Sequence, residues 1–172
     1  IKPVLVYAPA LEENKIYPCS IISDEEININ GYSPNNVNKG YMGDVSVRTA
    51  VNKSLNTVAV KVLSYVGVEN AKYYAQKAGI EFDKDDISYA LALGGFKYGT
   101  TLKQLTNAYL PFANNGDFIE AKFVKYITDK NGKIIYKNEN KSSKVFRDDT
   151  AYLMTDMLKG CVNFGTSKKL SS

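Results

Sequence analysis

A helix-rich α+β fold is predicted by three features of the chain: two apolar-periodic runs joined end to end between Val47 and Gly67, two further helical stretches beginning at Leu102 and after Arg147, and a β-rich run from Lys122 to Lys137 folded about Lys130-Asn131-Gly132. The 172 residues amount to about one domain. Hydrophobic residues make up 44% and charged residues 23%, which suits an ordinary folded core rather than disorder or a fibrous repeat.

The central run carries the chemistry. Val47, Ala50 and Val51 recur at the i, i+3, i+4 spacing of one helix face, and Val58, Ala59, Val62, Leu63 and Val66 resume that spacing. The uncharged tripeptide Ser54-Leu55-Asn56 lies between them. Serine and asparagine favour caps and turns because their short side chains bond neighbouring backbone groups. Their placement presents a hydroxyl and a carboxamide side by side. On its own the tripeptide is weak, since Ser-x-Asn recurs by chance and Asn56 could simply cap the second helix.

On either side of that run, Ile1 to Leu11 reads as a helix, with Pro3 suited to a first turn and Pro9 implying a kink or an early end. Glu12 to Gly43, dense in Asn, Gly, Pro and Ser, reads as a long loop with at most short hairpins. Val68 to Gly79 reads as a short amphipathic surface helix stopped by Gly79, and Leu91 to Gly95 as an apolar segment closed by two glycines. Thr101 and Gln104 form a capping box for a helix from Leu102 to about Asn114, with Leu105, Ala108, Tyr109, Phe112 and Ala113 on one apolar face. Asn131-Gly132 marks a hairpin, which could be an edge ornament. A last helix runs to about Val162 with Ala151, Met154, Met157, Leu158 and Cys161 inward.

Composition excludes much. The net charge of +4 comes from lysines scattered among nearly as many acids, with no basic block, so nucleic acid is not an expected partner. There is no histidine, which removes Ser-His-Asp, Cys-His and HExxH chemistry together; a nucleophile would have to be activated by lysine, tyrosine or a carboxylate. Cys19 and Cys161, far apart and among apolar neighbours, are most simply buried thiols, with a single disulfide left open and no metal or cofactor expected. No apolar run reaches the roughly 18 residues of a membrane span.

The order of segments resembles one known family. IKPVLVYAPALEEN resembles the stretch just after the nucleophilic serine of the Ser-x-x-Lys motif in high-molecular-weight, bifunctional class A penicillin-binding proteins; Lys2 matches the motif lysine, and the serine would fall two positions ahead of Ile1. YSPNNVNKGYMGDVSVRTAVNKSLNTVAVKVL resembles the approach to the second motif, Ser-x-Asn, with Ser54 and Asn56 matching. LALGGFKYGTTLKQLTNAYLPFANNG and MLKGCVNFGTSKKL resemble the Gly-rich turn and helix that come next and the helix and loop that precede the Lys-Thr-Gly strand.

The resemblance implies a β-lactamase/transpeptidase-like fold, here mainly its helical region plus a β-hairpin, with most of the five-stranded antiparallel sheet missing. It implies that residues 1–172 are a partial transpeptidase domain truncated at both ends of the catalytic core, either a piece of a longer protein or one that pairs with the missing part of the same domain. An apolar face left bare by the missing sheet would favour self-association. The implied activity is D,D-transpeptidation, crosslinking peptidoglycan stem peptides ending in D-Ala-D-Ala by serine acyl transfer, with acylation by β-lactams. Lys2 would act as base, Ser54 as proton relay, and Asn56 as holder of the lysine and the substrate amide. The fragment alone would be inactive. The implied location is the extracellular face of the bacterial plasma membrane, through an anchor outside this chain. The alternatives are a related hydrolase, either a D,D-carboxypeptidase or a β-lactamase, with Leu55 in place of the usual aspartate counting against the β-lactamase, and a non-catalytic β-lactam sensor or interaction module. Lys168 and Lys169 read as surface lysines.

Overall fold

Val4 to Leu11 is a run of eight residues without a charge, and a helix of that composition has to be enclosed on every side. In the computed structural model, which describes residues 1–139 and 141–171, it is: Val4, Val6, Ala8 and Ala10 are fully buried. The segment opens as a π-helical turn, Pro3–Tyr7, and continues as α1, Ala8–Glu12. Pro9 therefore does not end it. A proline ring would clash with the carbonyl four residues earlier in a regular α-helix, and the wider π turn before Pro9 relieves that conflict.

Helix α2 (Val47–Lys53) is capped by Ser46, whose hydroxyl accepts from the Thr49 amide at 3.2 Å, and α3 (Asn56–Val66) comes directly after it. α3 is the centre of the molecule. Val58, Ala59, Val60, Val62 and Leu63 are all at 0% exposure, packed against the N-terminal helix, α4 (Val68–Lys77) and a 3₁₀ turn at Tyr89–Leu93. Burying a side chain such as Leu63 contributes about 2 kcal/mol. α4 is capped at Ala78, before Gly79 at φ +90°; it is more than a surface helix, because Ala71 and Ala75 enter the core.

The expected helix from Leu102 to Asn114 is two helices, α5 (Leu102–Asn107) and α6 (Leu110–Ala113). The Thr101–Gln104 capping box forms as expected. Pro111 has no amide hydrogen to extend α5, so it starts a new helix instead, and the break turns Ala113 out to solvent. α7 (Asp148–Phe164) closes the core with Ala151, Met154 and Met157 inward.

The β structure is more extensive than the single expected hairpin. β1 (Ile21–Asp24) and β2 (Gly43–Ser46) pair antiparallel, Asp24 opposite Gly43, and so tie off the long loop at its base. Within that loop Asn30 and Gly31, both at positive φ, make a two-residue turn between Ile29 and Tyr32. β3 (Asp117–Ile119) pairs with β6 (Ser142–Lys144), and the expected hairpin, β4 (Tyr126–Thr128) with β5 (Ile134–Lys137), projects beyond that pair with every strand residue exposed. The cysteines also differ from expectation. Both are free thiols, and Cys19 is exposed rather than buried.

Candidate active site at the α2–α3 junction

The junction between α2 and α3 is held in one shape by its own backbone. Ser54 adopts the left-handed conformation at φ +55°, the Ser54 amide donates to Val51 O at 3.0 Å, and the Leu55 amide donates to Ala50 O at 3.0 Å. This is the Schellman closure usually made by glycine, and it turns the Ser54 carbonyl and hydroxyl away from the core. Leu55 is the anchor. It is 5% exposed, so the residue between the two polar ones fills the core while its neighbours face outward.

Lys2 reaches this junction from the first turn of the N-terminal helix. Its Nζ donates to Ser54 O at 2.6 Å, Ser54 Oγ at 3.0 Å and Asn56 Oδ1 at 2.6 Å. A lysine ammonium has three donors, and all three are used on uncharged oxygens. With burial removing water and no anion in that set, the Lys2 pKa falls from 10.5 to about 8. Ile1, Lys2, Pro3, Ser54, Asn56 and Leu93 line an open cleft there. The structure thus brings all three expected site residues together.

Asn56 does not cap α3. It is the first helical residue, and its carboxamide spans two elements, with Oδ1 on Lys2 and Nδ2 donating to Asn35 O at 2.7 Å. Leu55 stands at the N-cap with no polar side chain to offer. The cap comes instead from the long loop, where Asn36 Oδ1 accepts from the Asn56 amide at 2.8 Å. Asn36 Nδ2 in turn donates to Asp24 Oδ1 at 2.8 Å and Oδ2 at 3.1 Å and to Gly40 O at 3.0 Å. The Asp24 carboxylate, at 0% exposure, also accepts from the Met42 amide at 2.9 Å and from the buried Thr57 hydroxyl.

Sequence reasoning missed Asp24, Asn35, Asn36 and Thr57. The Asn-rich stretch YSPNN was the only signal, and nothing local pairs it with an aspartate 12 residues earlier.

On the other side of Ser54, the Thr166 amide donates to Asn52 O at 3.1 Å, holding the loop after α7 against the end of α2. Thr166 shares a second groove with Asn36, Val37, Met42, Lys53, Ser54 and Leu55. Gly165 is required there, since a Cβ would lie 2.3 Å from Asn52 O. Lys168 and Lys169 are exposed beyond it. Among the described residues no group of three or more His, Cys, Asp or Glu side chains could hold a metal ion, and no helix is long and apolar enough to cross a membrane.

Three comparisons place this architecture. The sequence is 38% identical over 166 residues to penicillin-binding protein 1F of Bacillus subtilis, a match that takes in 96% of this chain and 23% of that protein; the chain spans about a quarter of the length of the curated relatives it matches. The fold superposes on penicillin-binding protein 1A of Haemophilus influenzae with a TM-score of 0.85 at 23% identity, covering 99% of this chain and 31% of the other. It superposes on the D,D-transpeptidase domain of a peptidoglycan glycosyltransferase from Eggerthella lenta with a TM-score of 0.81 at 19% identity, covering 96% and 48%. The fold is thus that of the penicillin-binding protein transpeptidase domains, seen here as an α+β portion of them. The family profile described as the penicillin binding protein transpeptidase domain matches residues 1–171, and the chain belongs to that family.

Proposed function

We propose that this chain is the helical part of a D,D-transpeptidase domain, with Lys2, Ser54 and Asn56 as its contribution to a serine acyl-transfer site. One observation carries the reading: a lysine with a pKa lowered to about 8 donates at once to a hydroxyl and a carboxamide across an open cleft. That is a base close to neutrality with a proton relay beside it.

In this reading the Ser-x-x-Lys spacing puts the nucleophilic serine two positions before Ile1. Its oxygen attacks the carbonyl of the penultimate D-alanine, and its proton passes to neutral Lys2. The tetrahedral intermediate collapses as that proton, handed on through Ser54 Oγ, reaches the departing D-alanine nitrogen. Asn56, held by Asn35, orients Lys2 and the substrate amide. The amine of a second stem peptide then takes the acyl group and restores the serine. β-Lactams acylate the same serine. Residues 1–172 are accordingly a partial domain, without nucleophile or Lys-Thr-Gly strand and inactive alone. The whole protein works on the outer face of a bacterial plasma membrane through an anchor elsewhere in its sequence.

The discriminating experiment supplies the full-length protein with a D-Ala-D-Ala stem peptide and an acceptor amine. Crosslinked product with released D-alanine is expected. Release of D-alanine with water as the sole acceptor would replace this reading with a carboxypeptidase, and no turnover with no acylation would leave a scaffold or interaction module.

A further inference from the structure

Beyond the three motif residues, a chain of polar groups, buried at Asp24, Asn36 and Thr57, runs from the long loop to the site. Asp24 accepts from Asn36 Nδ2, which forces the Asn36 Oδ1 to face the opposite way, onto the Asn56 amide. Asn35, the neighbour of Asn36, accepts from Asn56 Nδ2, which turns Asn56 Oδ1 onto Lys2. The same carboxylate fixes Thr57, the next residue of α3, and the Met42 amide at the far end of the loop.

We propose that Asp24 and Asn36 are positioning residues for the acyl-transfer site, fixing the backbone and carboxamide of Asn56 and through them the aim of Lys2; this rests on the reading given under Proposed function.

Asp24 is at 0% exposure and Asn36 at 4%, so both are almost wholly enclosed, and a buried carboxylate is costly unless its acceptor sites are filled. A salt bridge would fill them more simply. Here the partners are three neutral donors drawn from the loop, the loop's end and α3, and each is a group whose placement sets the Ser54-Leu55-Asn56 surface. Because Leu55 has given its side chain to the core, the first turn of α3 has no cap of its own, and Asn36 supplies one only while Asp24 holds its amide the right way round. Released, Asn36 can flip, the first turn of α3 can fray, and the carboxamide facing Lys2 loses its fixed direction.

The test uses the full-length protein, acylated by a fluorescent penicillin, with wild type, Asp24→Asn, Asn36→Asp and the double exchange Asp24→Asn/Asn36→Asp. Asp24→Asn puts two amides face to face and Asn36→Asp puts two carboxylates together. The exchange restores the pair with its direction reversed: the carboxamide introduced at position 24 accepts from the Met42 amide through its oxygen and donates through its nitrogen to the Thr57 hydroxyl, which can turn to accept, and to the carboxylate introduced at position 36; that carboxylate still accepts from the Asn56 amide, and only the Gly40 carbonyl loses its donor. Each single variant should acylate about tenfold or more slowly at a temperature where circular dichroism shows it folded, and the exchange should return to within about threefold of wild type. A purely structural role would lower the melting temperature of the single variants and leave the acylation rate of the folded protein unchanged, which would overturn the proposal. Slowing that the exchange does not recover would overturn it as well. Should Asp24→Asn not fold, Asn36→Ala carries the test, since it leaves Asp24 its Thr57 and Met42 donors. If wild type itself is not acylated, the functional reading fails, an outcome distinct from wild-type acylation with unaffected variants.

Discussion

Lys2 Nζ lies 2.6 Å from Asn56 Oδ1 and 3.0 Å from Ser54 Oγ, a junction between the first turn of one buried helix and the break between two others. Because the acceptors are neutral and the site is partly dry, the lysine is held nearer to losing its proton than a surface lysine is.

With Lys2 in the proposed base role, that environment would make acylation pH-dependent. The folded pKa of Lys2 is lowered to about 8 from 10.5. Acylation of the full-length protein should therefore rise with pH through about 8 and level off above it, as the free amine becomes the base. The same shift acts on stability. Between about 8 and 10.5 the unfolded chain binds more protons than the folded one, so this group adds stability as pH rises through that window, and its full burial penalty is present below about 8. Comparing wild type with Lys2→Met in denaturant titrations at pH 7 and pH 10 isolates this contribution, and the difference between the two proteins should change with pH in that direction.

Ser54 is under a conformational conflict that the proposed relay role would account for. It sits at φ +55°, where glycine would be unstrained. Ser54→Gly should raise stability by about 0.5–1 kcal/mol while slowing acylation by about a hundredfold, because the relay hydroxyl is gone. Thermal melts and acylation rates on one protein preparation show both effects; a variant both more stable and equally fast would remove Ser54 from the mechanism.

Gly116 is a position where the backbone itself is the partner. The Val145 and Phe146 amides donate to Gly116 O at 2.9 and 3.1 Å, and a Cβ on Gly116, at φ +89°, would lie 1.9 Å from Phe146 O. Gly116→Ala should cost about 3 kcal/mol or more, read as a fall in the denaturation midpoint.

The projecting hairpin should be dispensable for the core. Every residue of β4 and β5 is exposed. Replacing residues 126–137 by a short Gly-Ser link should change unfolding free energy by less than about 1 kcal/mol and leave acylation unchanged.

What the sequence made legible was what is local. The helix break at Ser54, the capping box at Thr101, the Gly79 stop and the hairpin at Asn131-Gly132 each rest on a few adjacent residues and a period, and the structure keeps them. Lys2 and its two partners were legible only through family resemblance, since 52 and 54 residues separate them in sequence. What was lost is what contact decides. Strand β1 is four residues long and pairs with β2 across a long loop whose Asn30-Gly31 turn closes only Ile29 against Tyr32. Pro111 divided a helix whose apolar period ran on past it. Cys19 stands beside apolar neighbours yet is exposed. The Asp24–Asn36 pair is buried and polar in a stretch that composition marks only as loop.

The most direct measurement is intact mass after exposure to a fluorescent penicillin, made on the full-length protein, its Lys2→Ala variant and residues 1–172 alone. One adduct on the full-length protein, lost with Lys2→Ala and absent from residues 1–172, is the result expected of a site assembled from Lys2, Ser54, Asn56 and a serine two positions before Ile1. A folded full-length protein that takes no adduct, or a Lys2→Ala variant that is labelled at the wild-type rate, would contradict it.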